Sequence, residues 1–183
     1  VCGTVWKRTY FWNVWQDWKR CMKMYKEQVR RKFPLFMDLG TWRILTVGGG
    51  SIALRRVQTL LEFGPGQLVV VAKQLDPAFE KWRSFPNVAF CERGYTEEDL
   101  ENCQMVLAAT DDKELNKRIA KACKSRGILV NVASDQDMCD FHFPGIAIKG
   151  PITVGINAAG LDHRLAKRTR EQIQAFLEGE SVC

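Results

Sequence analysis

The stretch Arg43-Ile44-Leu45-Thr46-Val47-Gly48-Gly49-Gly50-Ser51-Ile52-Ala53 decides how the chain is read. Its first five residues form the short apolar run of a strand buried on both faces. Three glycines follow, and then Ile52 to Phe63 has helical spacing, with Ile52, Val57, Leu60 and Leu61 on the predicted inner face. A strand that passes through glycines into a helix leaves unpaired amide groups and a partial positive charge at the turn. Gly48, Gly50 and Ala53 have the spacing G-x-G-x-x-A, which in this setting is a dinucleotide fingerprint. Gly48 permits the tight turn, Gly50 lets backbone approach a pyrophosphate, and Ala53 lets the helix pack closely on the sheet. Gly48, Gly49, Gly50, Ser51 and Ile52 are therefore candidate cofactor-binding residues.

Working toward the C-terminus, short β-rich runs alternate with helical patterns, the signature of a parallel sheet covered by helices. Gln67–Ala72 reads as a second strand, Asp76–Phe85 as a short helix capped by Asp76, and Val88–Cys91 as an edge strand. Met105–Ala109 is a fourth strand, and Asp112 caps a helix that reaches about Ser125 and stops at Gly127. Ile128–Val132 is a fifth strand. Phe141–Ile148 and Ile152–Ile156, joined by Lys149-Gly150-Pro151, read as an antiparallel hairpin added to the parallel sheet, and Asp162 opens a last helix to about Glu178. The fold class is α/β, a Rossmann-type parallel sheet with helices on both faces, plus a C-terminal hairpin and helix. Three segments follow: an extension at 1–32, a nucleotide-binding domain at 33–148, and a hairpin strand with helix at 149–183 for dimerisation or substrate.

The 183 residues carry a formal net charge of +6. Residues 1–32 hold nine Lys or Arg against Asp17 and Glu27, a net of +7, so the rest of the chain sums to −1. The basicity belongs to the extension, whose Trp6, Trp12, Trp15 and Trp18 stand among basic residues, and the domain itself does not have the charge of a nucleic-acid binder. Aromatic and basic residues together also suit an amphipathic arm at an acidic or membrane surface, though the simpler reading is an extension without a role in chemistry. The seven cysteines are odd in number and include no C-x-x-C pair, which fits reduced thiols. No apolar stretch reaches the roughly 18 residues of a membrane span, and a cytoplasmic protein is expected.

Further candidates lie where strand ends line a ligand crevice. The second strand ends Val71-Ala72-Lys73-Gln74, without the carboxylate that takes ribose hydroxyls, so Lys73 either meets the 2′-phosphate of NADP or is a solvated lysine. Thr110 and Asp111 follow the fourth strand, and they either touch the cofactor or, with Asp112, only cap the next helix.

Phe33-Pro34-Leu35-Phe36, Val47-Gly48-Gly49-Gly50, Ala108-Ala109-Thr110-Asp111-Asp112, Asn131-Val132, and Cys139-Asp140-Phe141 followed by Pro144 together resemble the precorrin-2 dehydrogenase family, the N-terminal part of siroheme synthases, over roughly residues 33–178. The resemblance implies NAD-dependent oxidation of precorrin-2 to sirohydrochlorin, toward siroheme or cobalamin, in a homodimer. Ferrochelatase activity, found in some members, comes with it, although the sequence reveals no metal ligands. Carried over by position, NAD meets Gly48 to Ile52, Lys73, Gln74, Thr110 and Asn131, and NADP is not excluded.

Two departures stand out. The family's catalytic aspartate falls on Ser134, with Asp135 directly after it, and a serine without a base accepts a proton poorly. Asp135 is the favoured replacement; Asp137, Asp140, dehydrogenation mainly by hydride positioning, and an impaired chain are the alternatives. Relatives also carry a Ser/Thr-Gly-Gly segment ending Ser-Pro where this chain has Asn157-Ala158-Ala159-Gly160-Leu161-Asp162-His163. Asn157, His163 and Arg164 are the candidate substrate-binding residues, suited to the carboxylates of a tetrapyrrole. The competing class is a nucleotide-sensing module that keeps the fold and has lost turnover.

Overall fold

Five parallel strands occupy the positions of the apolar runs, in the order β3-β2-β1-β4-β5. They are β1 (Arg43–Val47), β2 (Gln67–Val71), β3 (Val88–Cys91), β4 (Met105–Ala108) and β5 (Leu129–Val132). The computed structural model describes residues 32–160 and 162–179. The reading of the basic, Trp-rich extension falls on residues 1–31 and so lies outside the described residues.

Each strand sends alternate side chains to opposite faces, and both faces are covered. On one face Leu45, Val47, Val106, Ala108, Val130 and Val132 pack with Ile119, Ala120 and Cys123 of helix α2 (Lys113–Ser125). On the other face Ile44, Leu68, Val70, Met105 and Leu107 pack with Ala53, Val57 and Leu60 of helix α1 (Ser51–Leu61). Each fully buried aliphatic side chain contributes about 1.5–3 kcal/mol, so these two layers dominate the stability of the domain.

Three local expectations are corrected, and one element is added. Ile52 does not join the inner face of α1 but is 43% exposed, because the helix turns Ala53, Val57 and Leu60 to the sheet. The small Ala53 side chain permits that close approach, and Ile52 projects away from it. The segment after Asp76 is one 3-10 stretch, Pro77–Trp82, although Asp76 does cap it by accepting from the Ala78 amide at 2.9 Å. Pro86 disfavours helix at Phe85 and cuts the element short. A further 3-10 turn, Glu97–Leu100, was not read from the sequence.

The last correction concerns the hairpin. Strands β6 (Gly145–Lys149) and β7 (Ile152–Ile156) form a two-stranded antiparallel sheet of their own instead of extending the parallel one. Phe141 and Phe143 pack on the core beside α1, and the Phe141 carbonyl is taken by Asn131 Nδ2 at 2.7 Å. Pro144, with no amide hydrogen, follows them, so ladder pairing starts at Gly145.

The chain divides into two compact units, one from Phe36 to Phe143 and the other holding both hairpin strands and helix α3 (His163–Glu178). Within the second unit, the Gln174 side chain bonds the Ile148 amide and carbonyl at 3.0 and 3.1 Å, fixing α3 to β6. Gly179, at φ +86°, ends α3 in the left-handed conformation. Among the described residues no helix is long and apolar enough to cross a membrane.

Candidate functional site

The strand order reverses between β1 and β4, and an open parallel sheet binds ligands beyond the carboxyl ends of its strands at such a point. Three glycines stand there with three different surroundings. A methyl group on Gly48 would lie 2.3 Å from the Ala109 carbonyl oxygen, and its φ of +117° favours glycine in any case. A methyl group on Gly49 would lie 2.2 Å from the Gln74 carbonyl oxygen. Beyond its chain neighbours, Gly50 has nothing within 4 Å of the same construction among the described residues, and an extended backbone that any residue can adopt. The first two glycines are thus demanded by the fold, whereas at the third the fold leaves room.

Gly50 is also the residue before α1, and no side chain caps that helix. Its two counterparts are capped: Asp112 accepts from the Glu114 and Leu115 amides at 2.9 Å, and Asp162 accepts from the Leu165 amide at 2.8 Å. An uncapped helix start carries roughly half a positive charge and unpaired amide donors. It is built to take an anion, and the residues therefore fit a dinucleotide's phosphates.

The structure brings together most of the residues singled out in the sequence. Gly48 abuts Ala109 and Thr110, and Gly49 abuts Gln74 while its carbonyl accepts from the Asp76 amide at 2.8 Å. Ser51 and Ile52, both exposed, open α1. Lys73 is exposed at the end of β2 beside Gly94. Thr110 Oγ1 bonds Asn116 Oδ1 at 2.7 Å and the Asp112 carbonyl at 3.0 Å, whereas Asp111 is exposed. Asn131 is buried, and its Oδ1 has no hydrogen-bond partner among the described residues.

Ser134 and Asp135 follow β5 at the same end of the sheet. Ser134 Oγ accepts from Asn116 Nδ2 at 3.3 Å, so its own hydrogen is free to donate. Asp135 is half-buried; Oδ1 takes the Asp137 amide at 3.0 Å, and Oδ2 makes no hydrogen bond among the described residues. Asp140 is committed elsewhere, with Oδ2 accepting from the Val130 amide at 2.9 Å. Cys139 sits between them, its Sγ accepting from the Val132 amide at 3.1 Å and lying 3.2 Å from the Asp135 carbonyl. Burial and these contacts make the Cys139 thiol a support for the loop, and burial raises its pKa above the ordinary thiol value.

Asn157, His163 and Arg164 belong to the second unit and are exposed, with Asn157 Oδ1 accepting from the Ala159 amide. Among the described residues, no group of three or more His, Cys, Asp or Glu is placed to hold a metal ion.

Sequence reasoning missed Asn116. It is fully buried and makes four hydrogen bonds, three to Thr110 and one to Ser134. The signal was present: Asn116, Ile119, Ala120 and Cys123 share the buried stripe of α2, and an asparagine in an apolar stripe must find partners there.

Fold and site together define a nicotinamide-dinucleotide-binding domain, and an NAD(P)-binding family model matches residues 35–145. Siroheme synthases of Sodalis glossinidius and Zymomonas mobilis are 38% and 35% identical to it, each over 144 residues covering 79% of this chain and 30% of the relative. The solved structure of SirC, a precorrin-2 dehydrogenase, superposes with a TM-score of 0.68 at 26% identity, over 80% of this chain and 74% of that one. The chain belongs to the family of siroheme synthase N-terminal and precorrin-2 dehydrogenase domains. It spans about a third of the length of the curated relatives it matches.

Proposed function

We propose that the chain uses NAD to dehydrogenate precorrin-2 to sirohydrochlorin in tetrapyrrole biosynthesis. The observation that carries this reading is the contrast among the glycines: Gly48 and Gly49 are packed against backbone, while Gly50 faces open space at an uncapped helix start. The names of the relatives supply the substrate class. When bound, NAD would supply the hydride acceptor for this oxidation, and the proton released with the hydride would pass to a side chain of the protein.

The residues that hold the dinucleotide are Gly48, Gly49, Gly50, Ser51 and Ile52 at the first turn, Lys73 and Gln74 after β2, Thr110 and Asp111 after β4, and Asn131 in β5. Asp135 takes the proton on its carboxylate, while Ser134 donates a hydrogen bond toward the substrate. A carboxylate is the group at this end of the sheet able to do the first task, and general-base transfer of this kind is worth about 10²–10⁴ in rate. Asn157, His163 and Arg164 bind substrate carboxylates.

A second reading is favoured by Ser134, whose hydroxyl stands where the family resemblance puts a carboxylate: a dinucleotide-sensing domain without turnover. One experiment separates them. The purified chain, given precorrin-2 and NAD, is expected to produce sirohydrochlorin, followed by absorbance. NAD binding by calorimetry without conversion favours the sensor, and absence of binding to NAD and NADP alike overturns both.

A further inference from the structure

The ends of β4 and β5 reach the site through separate loops, and the side chains of Thr110 and Ser134 share one hydrogen-bonding neighbour. Asn116 Oδ1 accepts from the Thr110 amide at 3.2 Å and from Thr110 Oγ1 at 2.7 Å. Asn116 Nδ2 donates to the Thr110 carbonyl at 2.9 Å and to Ser134 Oγ at 3.3 Å. An amide side chain has two donor hydrogens and two acceptor sites, and all four are used. Only asparagine or glutamine offers that combination, and glutamine is one methylene too long for a site with no exposed surface.

We propose that Asn116 is a positioning residue, holding the Thr110 loop and Ser134 as one rigid unit so that the cofactor-binding and proton-handling sides of the site keep a fixed separation. This rests on the dehydrogenase reading. Asn116 is fully buried and acts through its two partners. Its donation to Ser134 Oγ also turns the serine's own hydrogen away from Asn116, because the oxygen faces that donor with a lone pair. Hydride transfer depends on placement to within about an ångström, so loss of the tie slows turnover more than it weakens binding.

The test is a double-mutant cycle on Thr110→Val and Ser134→Ala, two residues linked through Asn116. The expected result is non-multiplicative losses in kcat/KM, with a coupling of about threefold or more that disappears in an Asn116→Ala background. Asn116→Ala itself is expected to lower kcat by about tenfold or more while KM for the tetrapyrrole changes by less than about threefold. Simple multiplication of the two single losses, or an Asn116→Ala variant with kcat intact, overturns the proposal.

Amide hydrogen exchange at Thr110 in the ligand-free chain reports on the tie independently of catalysis. Ser134→Ala is expected to speed exchange of the Thr110 amide, because it loosens the acceptor that holds it. If the unchanged chain neither binds NAD nor turns over, the dehydrogenase reading has failed, and an unaltered Thr110 exchange rate in Ser134→Ala then overturns the tie as well.

Discussion

The Asp140 carboxylate accepts a hydrogen bond from the Val130 amide at 2.9 Å, and the Asp140 amide returns one to the Val130 carbonyl at 2.9 Å. Val130 lies in β5, an outer strand of the sheet, so the segment after it occupies pairing groups that an edge strand leaves open. A carboxylate engaged in this way is a structural group and a poor candidate for the proton acceptor. Asp140→Asn is expected to lower the melting temperature and leave kcat within about threefold, while Asp135→Asn lowers kcat by about 10²-fold or more with the melting temperature little changed. Steady-state kinetics and thermal denaturation of both variants check the assignment, and equal turnover in Asp135→Asn removes it.

Gly49 and Gly50 make a matched pair for separating folding from binding. Gly49→Ala places a methyl 2.2 Å from the Gln74 carbonyl oxygen and is expected to yield little folded protein. Among the described residues, Gly50→Val meets no atom within 4 Å of its Cβ beyond its chain neighbours, so the protein is expected to fold, but the side chain fills the space above the helix start. Its dinucleotide affinity is expected to fall by about tenfold or more, a loss of about 1.4 kcal/mol. Calorimetric titration decides the point, and unchanged affinity would place the phosphates elsewhere.

Ser134→Asp restores the group that the family resemblance puts at this position. Asn116 Nδ2 already points at Ser134 Oγ, so an aspartate there finds a donor waiting. A rise in kcat of about tenfold or more is expected if proton removal limits turnover. A fall would show that the hydrogen bond donated by the serine hydroxyl matters more to turnover than a carboxylate at this position.

The five strands and both helices of the nucleotide domain were legible because each strand is a short run of mainly apolar residues and glycine or aspartate marks the helix ends. The residues that escaped are those whose role is set by which side chains the fold brings beside them. Asn116 looks like one more polar residue of α2 until Ser134 is beside it, 18 positions later. The Glu97–Leu100 turn looks like a solvated acidic run, although Asp99 folds back to accept from the Thr96 amide at 2.9 Å, a spacing that was visible as T-x-x-D. Ile52 was placed inward on periodicity alone, and only the packing of Ala53 decides which way the helix turns.

Asp99 gives the fold a dependence on acid. The Arg93 guanidinium bonds both carboxylate oxygens and is the main reason the Asp99 pKa lies below its ordinary 3.8; the Thr96 amide adds to the effect against burial. A carboxyl group with a depressed folded pKa stabilises above its unfolded value, and that contribution is lost as pH falls through the folded one. Stability is therefore expected to decline below about pH 4, and Asp99→Asn to flatten the decline in denaturation curves taken at successive pH values.

Cys123 gives the opposite dependence. Burial between the sheet and α2 is the main reason its pKa is pushed up to about 12. The folded thiol therefore holds its proton where an unfolded one, with an ordinary value of 9.0, loses it. Its contribution is complete below that value and is lost progressively as pH rises toward about 12. Alkylation at pH 8 followed by peptide mass analysis is expected to find Cys123 unmodified in the folded chain and modified in denaturant, and Cys123→Ala to soften the alkaline loss of stability.

The central place of β1 has a consequence for how the domain is made. It is the first strand of the sheet to leave the ribosome, yet its two neighbours are β2, which follows soon, and β4, which begins only at Met105. One flank of this largely apolar strand must therefore wait through some sixty residues of synthesis before its lasting neighbour exists. During that interval the newborn chain presents a sticky, half-finished sheet, and chaperone protection matters most then.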